Sequence, residues 1–357
     1  ASTTATHNVA LGNQTLKDAT TGSQNTAVGS GALMSNTTAN QNTAVGYMAL
    51  GANTTGVYNT AIGVYTLDAN TTSDNNTAIG HNALSANTTG GENTAVGTYS
   101  LDANTTGAEN TAVGYNAMTA STTGSNSTAL GFGALRANTT GGSNTALGKV
   151  ALAANTTASN NSAVGSSALA SNTTGTQNNA FGVNALTANT TGDYNVAFGT
   201  NCLMANTTAS TNTAIGTNCL LTNTTGAQNT AVGAYAADAC TTGGNNTTLG
   251  YSAMGSNSTG GNNVVVGSFC MDIGSGMNYN VAMGHDTARH VTTGSNNIMI
   301  GHSAGHNNSP SGQITTGSNN ICLGNNTTSN LYCADTSISS SDSRDKTDVT
   351  DFTKGLD

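Results

Sequence analysis

Charge is scarce in this chain. Lys plus Arg number 7 and Asp plus Glu 16 in 357 residues, so charged residues make up only 6%, against about 25% in ordinary soluble domains. Nucleic-acid binding needs a cationic footprint, and a net charge of −9 excludes nucleic acid as a partner. Trp is absent and proline occurs once, at Pro310. No run of about 18 apolar residues exists, so neither a transmembrane helix nor membrane insertion is expected. No signal peptide is visible at Ala1, and the chain begins in mid-pattern, so an upstream part is expected. There is no Cys-x-x-Cys spacing to suggest zinc and no Gly-Gly-x-Gly-x-Asp calcium repeat. Disordered chains share the shortage of aromatics, but they are usually charged and lack patterned apolar positions. Here the apolar positions are strictly phased, which reads as order.

What fills the chain is a repeat. A glycine recurs in steps of 17, from Gly12 through Gly29, Gly46 and Gly63 to Gly284 and Gly301. The consensus around it is Asn-Thr-Ala-Val-Gly-x-x-Ala-Leu-x-Ala-Asn-Thr-Thr-Gly-x-x. A fixed period of this size marks a solenoid, in which one short unit stacks on copies of itself. The helical alternative fails on length, because stretches free of Gly and turn signals run to about eight residues. The expected fold is therefore all-β, a parallel β-solenoid or β-roll with one repeat per rung. At about 4.8 Å per rung, eighteen rungs make a rod of roughly 85 Å.

The positions within the repeat carry further expectations. The residue before the glycine is always apolar (Val28, Val45, Ile62, Phe181), and two residues earlier stands Thr in most repeats, with Val or Ile in others. This alternation predicts a strand with that face in the core. Leu33, Leu50 and Leu67, with Ala52 and Ala69 two residues on, predict a second short strand facing inward. Asn25, Asn42 and Asn59 form a column suited to an amide ladder. Ala27, Ala44 and Ala61 would then point outward, and their constancy suggests close chain-to-chain packing in a homotrimer. The alternative is a β-roll geometry that itself demands a small residue there.

Candidate chemistry is sparse. Cys202, Cys219 and Cys270 take the place usually held by Ala and read as small buried hydrophobes. A Cys202–Cys219 disulfide is geometrically conceivable, and Cys322 with Cys333 is a second possible pair. His285 and His302 occupy equivalent places on adjacent rungs, where stacked imidazoles are a candidate metal site against the reading of scattered surface histidines. Asn-Thr-Thr is an N-glycosylation acceptor sequence at Asn36, Asn53, Asn70, Asn87, Asn104, Asn138, Asn155, Asn172, Asn189, Asn206 and Asn223. These are either bare turns or sugar-bearing sites. No catalytic set and no cofactor site is expected.

The rhythm breaks after Gly301. Residues 1–305 form the expected shaft, 306–340 an irregular terminal repeat, and 341–357 a charged, Ser-rich segment. In that segment Ser341-Asp342-x-Arg344-x-Lys346, followed by Gly355-Leu356-Asp357, resembles the opening of the endosialidase-type intramolecular chaperone, the peptidase S74 domain. The resemblance implies a trimerised β-helical fibre and self-cleavage just before Ser341, beside Asp342. The repeats also resemble the heads of YadA-type trimeric adhesins, whose shorter Asn-x-x-Ala-Ile-Gly units build a parallel β-roll. Together these imply a structural fibre on a virion or cell surface, of the viral or phage tail-fibre kind, reaching toward a surface receptor or glycan. Exposed Tyr47, Tyr115 and Tyr251 are the candidate contacts. The alternatives are an extracellular adhesin or glycosylated filament, and an ice-binding solenoid built on Thr arrays.

Overall fold

The computed structural model describes residues 4–307, 309 and 311–330. Nineteen strands of three residues each, β1 (Val9–Leu11) to β19 (Ile321–Leu323), form one parallel sheet. Each strand pairs with the next in sequence. Thr26 lies beside Thr43, Ala27 beside Ala44 and Val28 beside Val45, an offset of 17 residues that the asparagine pair Asn25 and Asn42 shares. The same offset holds up to β18, where Ile298 faces Ile321. That step is 23 residues, so the 23 − 17 = 6 extra residues of the terminal insertion loop out without breaking the ladder.

Between strands the chain is nearly all turn, yet its amides stay paired. They donate to both neighbouring rungs. Around Gly46, Thr43 donates to Asn59 O (2.9 Å) and Leu50 to Thr66 O (3.0 Å) on the following rung. Gly46 donates to Val28 O (2.8 Å) and Met48 to Ser30 O (3.0 Å) on the preceding one. This two-way stitching satisfies backbone groups that a buried turn would otherwise orphan.

The strands face the other way from the sequence-based expectation. Ala27, Ala44, Ala61 and their equivalents are wholly buried, while Thr26 and Val28 lie on the outer side. So short a coil encloses little space, and on most rungs a methyl group fills what is left beneath the sheet; Thr248, Val265 and Met299 take the same buried place on rungs toward the C-terminal end. The constancy of Ala therefore comes from the interior of a single chain, and it no longer argues for a trimer.

The second strand is also absent; a double turn stands in its place. Met48 and Leu50 adopt φ of 57° and 53°, and the leucines at 33, 67, 84 and 101 do the same. In a strand, neighbours point to opposite faces. Here the alternation of left-handed and ordinary residues turns both Ala49 and Leu50 inward, each fully buried. A non-glycine residue in the left-handed region costs roughly 1–2 kcal/mol, and burying a leucine returns roughly 2–3 kcal/mol. Ala52 and Ala69 are only half-buried.

The phased glycine has a sharper cause than turn formation. Gly29, Gly46 and Gly63 have φ of 130–141°, a conformation L residues rarely adopt. A Cβ at Gly29 would also sit 2.3 Å from the Gly46 carbonyl oxygen. The second glycine of the repeat, Gly56, is as crowded but has no positive φ, and Ala39, Ser73, Ala158 and Ala209 replace it on other rungs.

Two columns of buried asparagine complete the core. In the first, Oδ1 of Asn25 accepts from the Asn42 backbone amide (2.9 Å), and its Nδ2 donates to Ala39 O (2.9 Å). In the second, Nδ2 of Asn70 closes its own turn on Ser73 O (3.1 Å) and reaches back to Asn53 Oδ1 (2.9 Å). The amide ladder expected for the first column is present, and the second repeats it on the opposite side of the turn.

Candidate functional site: the outer columns of the rod

Stacking in register turns each outward position into a column running the length of the rod. The last residue of every strand is apolar from Leu11 to Leu323, whether Val, Ile, Leu, Phe or Met. The first is mostly Thr and turns to Val or Ile toward the C-terminal end (Val264, Val281, Ile298, Ile321). No outward strand residue carries a charge. The isoleucines at 62, 79, 215 and 300 remain 38%, 37%, 41% and 42% exposed. Sequence reasoning placed this stripe in the core and so missed it as a surface.

Beside the stripe runs an interrupted aromatic edge. Tyr47 and Tyr65 meet edge to face with ring centres 5.3 Å apart. Tyr99, Tyr115 and Phe132 continue it at 6.3 and 5.6 Å. A second run joins Tyr235, Tyr251 and Phe269 at 5.9 and 5.3 Å. Tyr47, Tyr115 and Tyr251 are each about half exposed, as the sequence suggested. Such rings offer apolar faces with a polar tip, suited to sugar or protein contact.

The ion pairs among the described residues gather at one point of the rod. Arg289 bonds Asp286 (3.0 Å), lies 3.9 Å from Asp272, and sits 5.1 Å above the centre of the Phe269 ring. His285 lies 3.3 Å from Asp286. Partial burial pushes the Asp68, Asp238 and Asp272 carboxyls above their ordinary range. In Asp68, the Asp102 charge two rungs away adds to this. Burial, then the neighbouring His306, lowers His290 and favours its neutral form.

The candidate metal pair is brought together, but face to face. His285 and His302 stack with ring planes 9° apart and centres 5.6 Å apart. Imidazole nitrogens donate in the plane of the ring, so parallel rings do not aim at a common point between them. His302 Nδ1 instead approaches Ser303 Oγ (3.3 Å) and Asn325 Nδ2 (3.2 Å). Among the described residues no cluster of three His, Cys, Asp or Glu forms a ligand set.

The glycosylation candidates face inward. At Asn36, Asn53, Asn70, Asn87, Asn104, Asn138, Asn155, Asn172, Asn189, Asn206 and Asn223 the side chain is buried. Every one donates its Nδ2 to the carbonyl three residues on. That nitrogen is the atom a sugar would take, so the folded rung and an N-linked glycan compete for it.

Cys202, Cys219, Cys240, Cys270 and Cys322 are buried free thiols, so the conceivable Cys202–Cys219 disulfide is not formed. Cys202 donates to Ala214 O (3.1 Å) and Cys219 to Ala231 O (3.2 Å). A hydrogen bond with Cys202, then burial, pushes the Cys219 thiol up. Burial pushes Cys240 up to about 11 and Cys270 to about 12. Cys333, Ser341, Asp342 and the whole 341–357 segment lie outside the described residues.

Under β17 (Val281–Met283) and β18 (Ile298–Ile300) the interior is closely packed, with no space that admits a water molecule. Met271, Ala288, Val291 and Met299 meet there with Asn280 and Asn297 of the first ladder. No titratable group is among them. No helix of the described residues is long and apolar enough to cross a membrane. No protein-family model matches the chain, and no curated protein matches it.

Proposed function

We propose that this chain is the shaft of a homotrimeric structural fibre, a viral or phage tail fibre or related surface appendage, that holds an attachment element away from its base. It works by mechanical reach, outside the cell or on a virion, and catalyses no reaction beyond self-cleavage before Ser341. The observation that carries this reading is the unbroken sheet of nineteen strands, which gives a rod of about 85 Å. Such an element transmits position over distance, because each rung touches only its neighbours. The half-exposed rings of Tyr47, Tyr115 and Tyr251 are the proposed contacts for a surface receptor or glycan. Electron microscopy of the purified chain should show slender rods; compact globules would retire the reading. Mass spectrometry of the mature protein should find a chain ending at Ser340, and a chain continuing into Ser341 would remove the self-cleavage.

The ice-binding reading draws on one observation of its own. Thr26, Thr43, Thr60 and Thr77 stand outward on a parallel sheet, one per rung. A thermal-hysteresis assay decides it. The glycosylated-filament reading would show as added mass at the Asn-Thr-Thr residues.

A further inference from the structure

Outward positions in a repeat protein drift in polarity unless something holds them. The neighbouring exposed columns show the drift. The residue after the phased glycine runs through Ser30, Tyr47, Val64, His81, Thr98 and Lys149. The last residue of each strand does not drift in polarity, although it varies in size from Val to Phe. Its own rung cannot be the reason, since the interior is already filled by Ala27, Leu33 and their equivalents.

We propose that this apolar stripe, Leu11 through Leu323, is the face along which a second copy of the chain lies. The inference rests on the fibre reading and deepens it by naming the surface that assembles the fibre. Three observations select a second copy over other occupants. First, the stripe repeats once per rung over nineteen rungs, and only a partner with the same rise per unit keeps in step with it for that distance. This chain has that rise by construction. Second, both outward positions of every strand are uncharged, so two copies meet without burying an unpaired charge, which would otherwise be costly.

Third, the area suffices. A stable interface removes about 800 Å² from each partner, or roughly 40 Å² per rung here. A large aliphatic side chain worth ~2.5 kcal/mol at ~25 cal/mol per Å² offers ~100 Å². At the 38–42% exposure of Ile62, Ile215 and Ile300, that leaves about 40 Å² on those rungs, and less on the half-buried rungs of Val28, Val45 and Val96. The outward Thr, Val and Ile at the strand starts add to it. A lattice-matched ice face would instead favour one side-chain shape, and the stacked Phe181 and Phe198 rings, 5.6 Å apart, together with Met283, interrupt any such regularity.

The test is the mass of the full chain in solution beside a set of substitutions confined to the stripe. Val28, Val45, Val96, Val113 and Val164 are changed together to Thr, a residue of the same shape that the other outward column already accepts. The wild type should form rods whose mass is two or more times that of its single chain. The Thr set should dissociate to rods of single-chain mass at a higher protein concentration than the wild type, with unchanged β circular dichroism. Wild-type rods of single-chain mass overturn the interface and leave the fibre reading standing, whereas globules retire the fibre. A Thr set that dissociates no more readily than the wild type also overturns the interface, as does thermal hysteresis from single-chain rods, which would make the face a water-ordering one. Should the Thr set lose its β signal, single changes decide. Ile62→Cys should be alkylated at least about tenfold more slowly than Thr55→Cys in the native assembly, because the centre of an interface is dry. Equal rates overturn the proposal.

Discussion

Ser121→Asn should stabilise the rod. Position 121 belongs to the second asparagine column, between Asn104 and Asn138. On regular rungs each amide donates to the Oδ1 of the rung before, as Asn155 does to Asn138 (2.9 Å) and Asn172 to Asn155 (3.0 Å). Serine lacks that reach. As a result Asn104 Oδ1 and Ser121 Oγ are both buried without a partner, and Asn138 Nδ2 bonds only its own turn, at Gly141 O (2.8 Å). The substitution would give Asn104 a donor and Asn138 an acceptor. Two net hydrogen bonds at about 1 kcal/mol each make roughly 2 kcal/mol. Space is not a concern, because the rungs on either side hold Asn in the same place.

A solenoid opens in parts, so the readout should be local. Native-state hydrogen exchange over residues 104–138 should slow about 30-fold, the equivalent of ~2 kcal/mol. Ser121→Asp is the control: it has the same shape but presents an oxygen to Asn104 Oδ1, and it should speed exchange. If the Asp variant protects as well as the Asn variant, or if neither changes exchange, the ladder is not what holds these rungs together. Cys240→Asn repairs the matching break that leaves Asn223 Oδ1 unpaired. It should give about half the gain, ~1 kcal/mol, since Asn257 turns its Oδ1 to the Gly260 amide and offers no second bond.

Three further outcomes follow from the same geometry. Gly148→Ala should cost about 3 kcal/mol or more by chemical denaturation, because φ is +140° and the new Cβ would lie 2.5 Å from Gly165 O. Gly175→Ala, in the column that holds Ala158 and Ala209, should cost much less, and equal losses would refute the conformational argument. The raised carboxyls of Asp68, Asp238 and Asp272 mean that the folded rod binds protons more readily than the unfolded chain. Stability should therefore rise as pH falls through their folded values and level off below the unfolded value near 3.8; the triple Asn variant should flatten this rise in denaturation midpoint. Cys202, Cys219, Cys240 and Cys270 should resist alkylation at pH 8 until the rod is unfolded, because they are buried and, at Cys240 and Cys270, titrate near 11 and 12. Prompt labelling of any of them in the native rod contradicts its burial.

The period alone determined the stacking. One glycine per repeat, held at an interval of 17 residues from Gly12 to Gly301, requires each coil to lie on its predecessor, and that implies parallel strands in register and columns of like side chains. The asparagine ladder and the break after Gly301 follow from the same rhythm. What the period leaves open is parity. In Thr-Ala-Val both the middle residue and its flanks are compatible with a core, and a shift of one residue exchanges the two faces of a strand. Only the radius of the closed coil decides between them. It admits the methyl of Ala27 and puts Val28 outside, which converts a supposed core stripe into a surface. The left-handed leucines were hidden for a related reason. Leucine seldom adopts positive φ, and nothing local in Ala-Leu marks the turn; the two-way hydrogen bonds to adjacent rungs and the burial of the side chain select it. Stacking is a property of the repeat, whereas the choice of inside and outside belongs to the closed circumference of the rung.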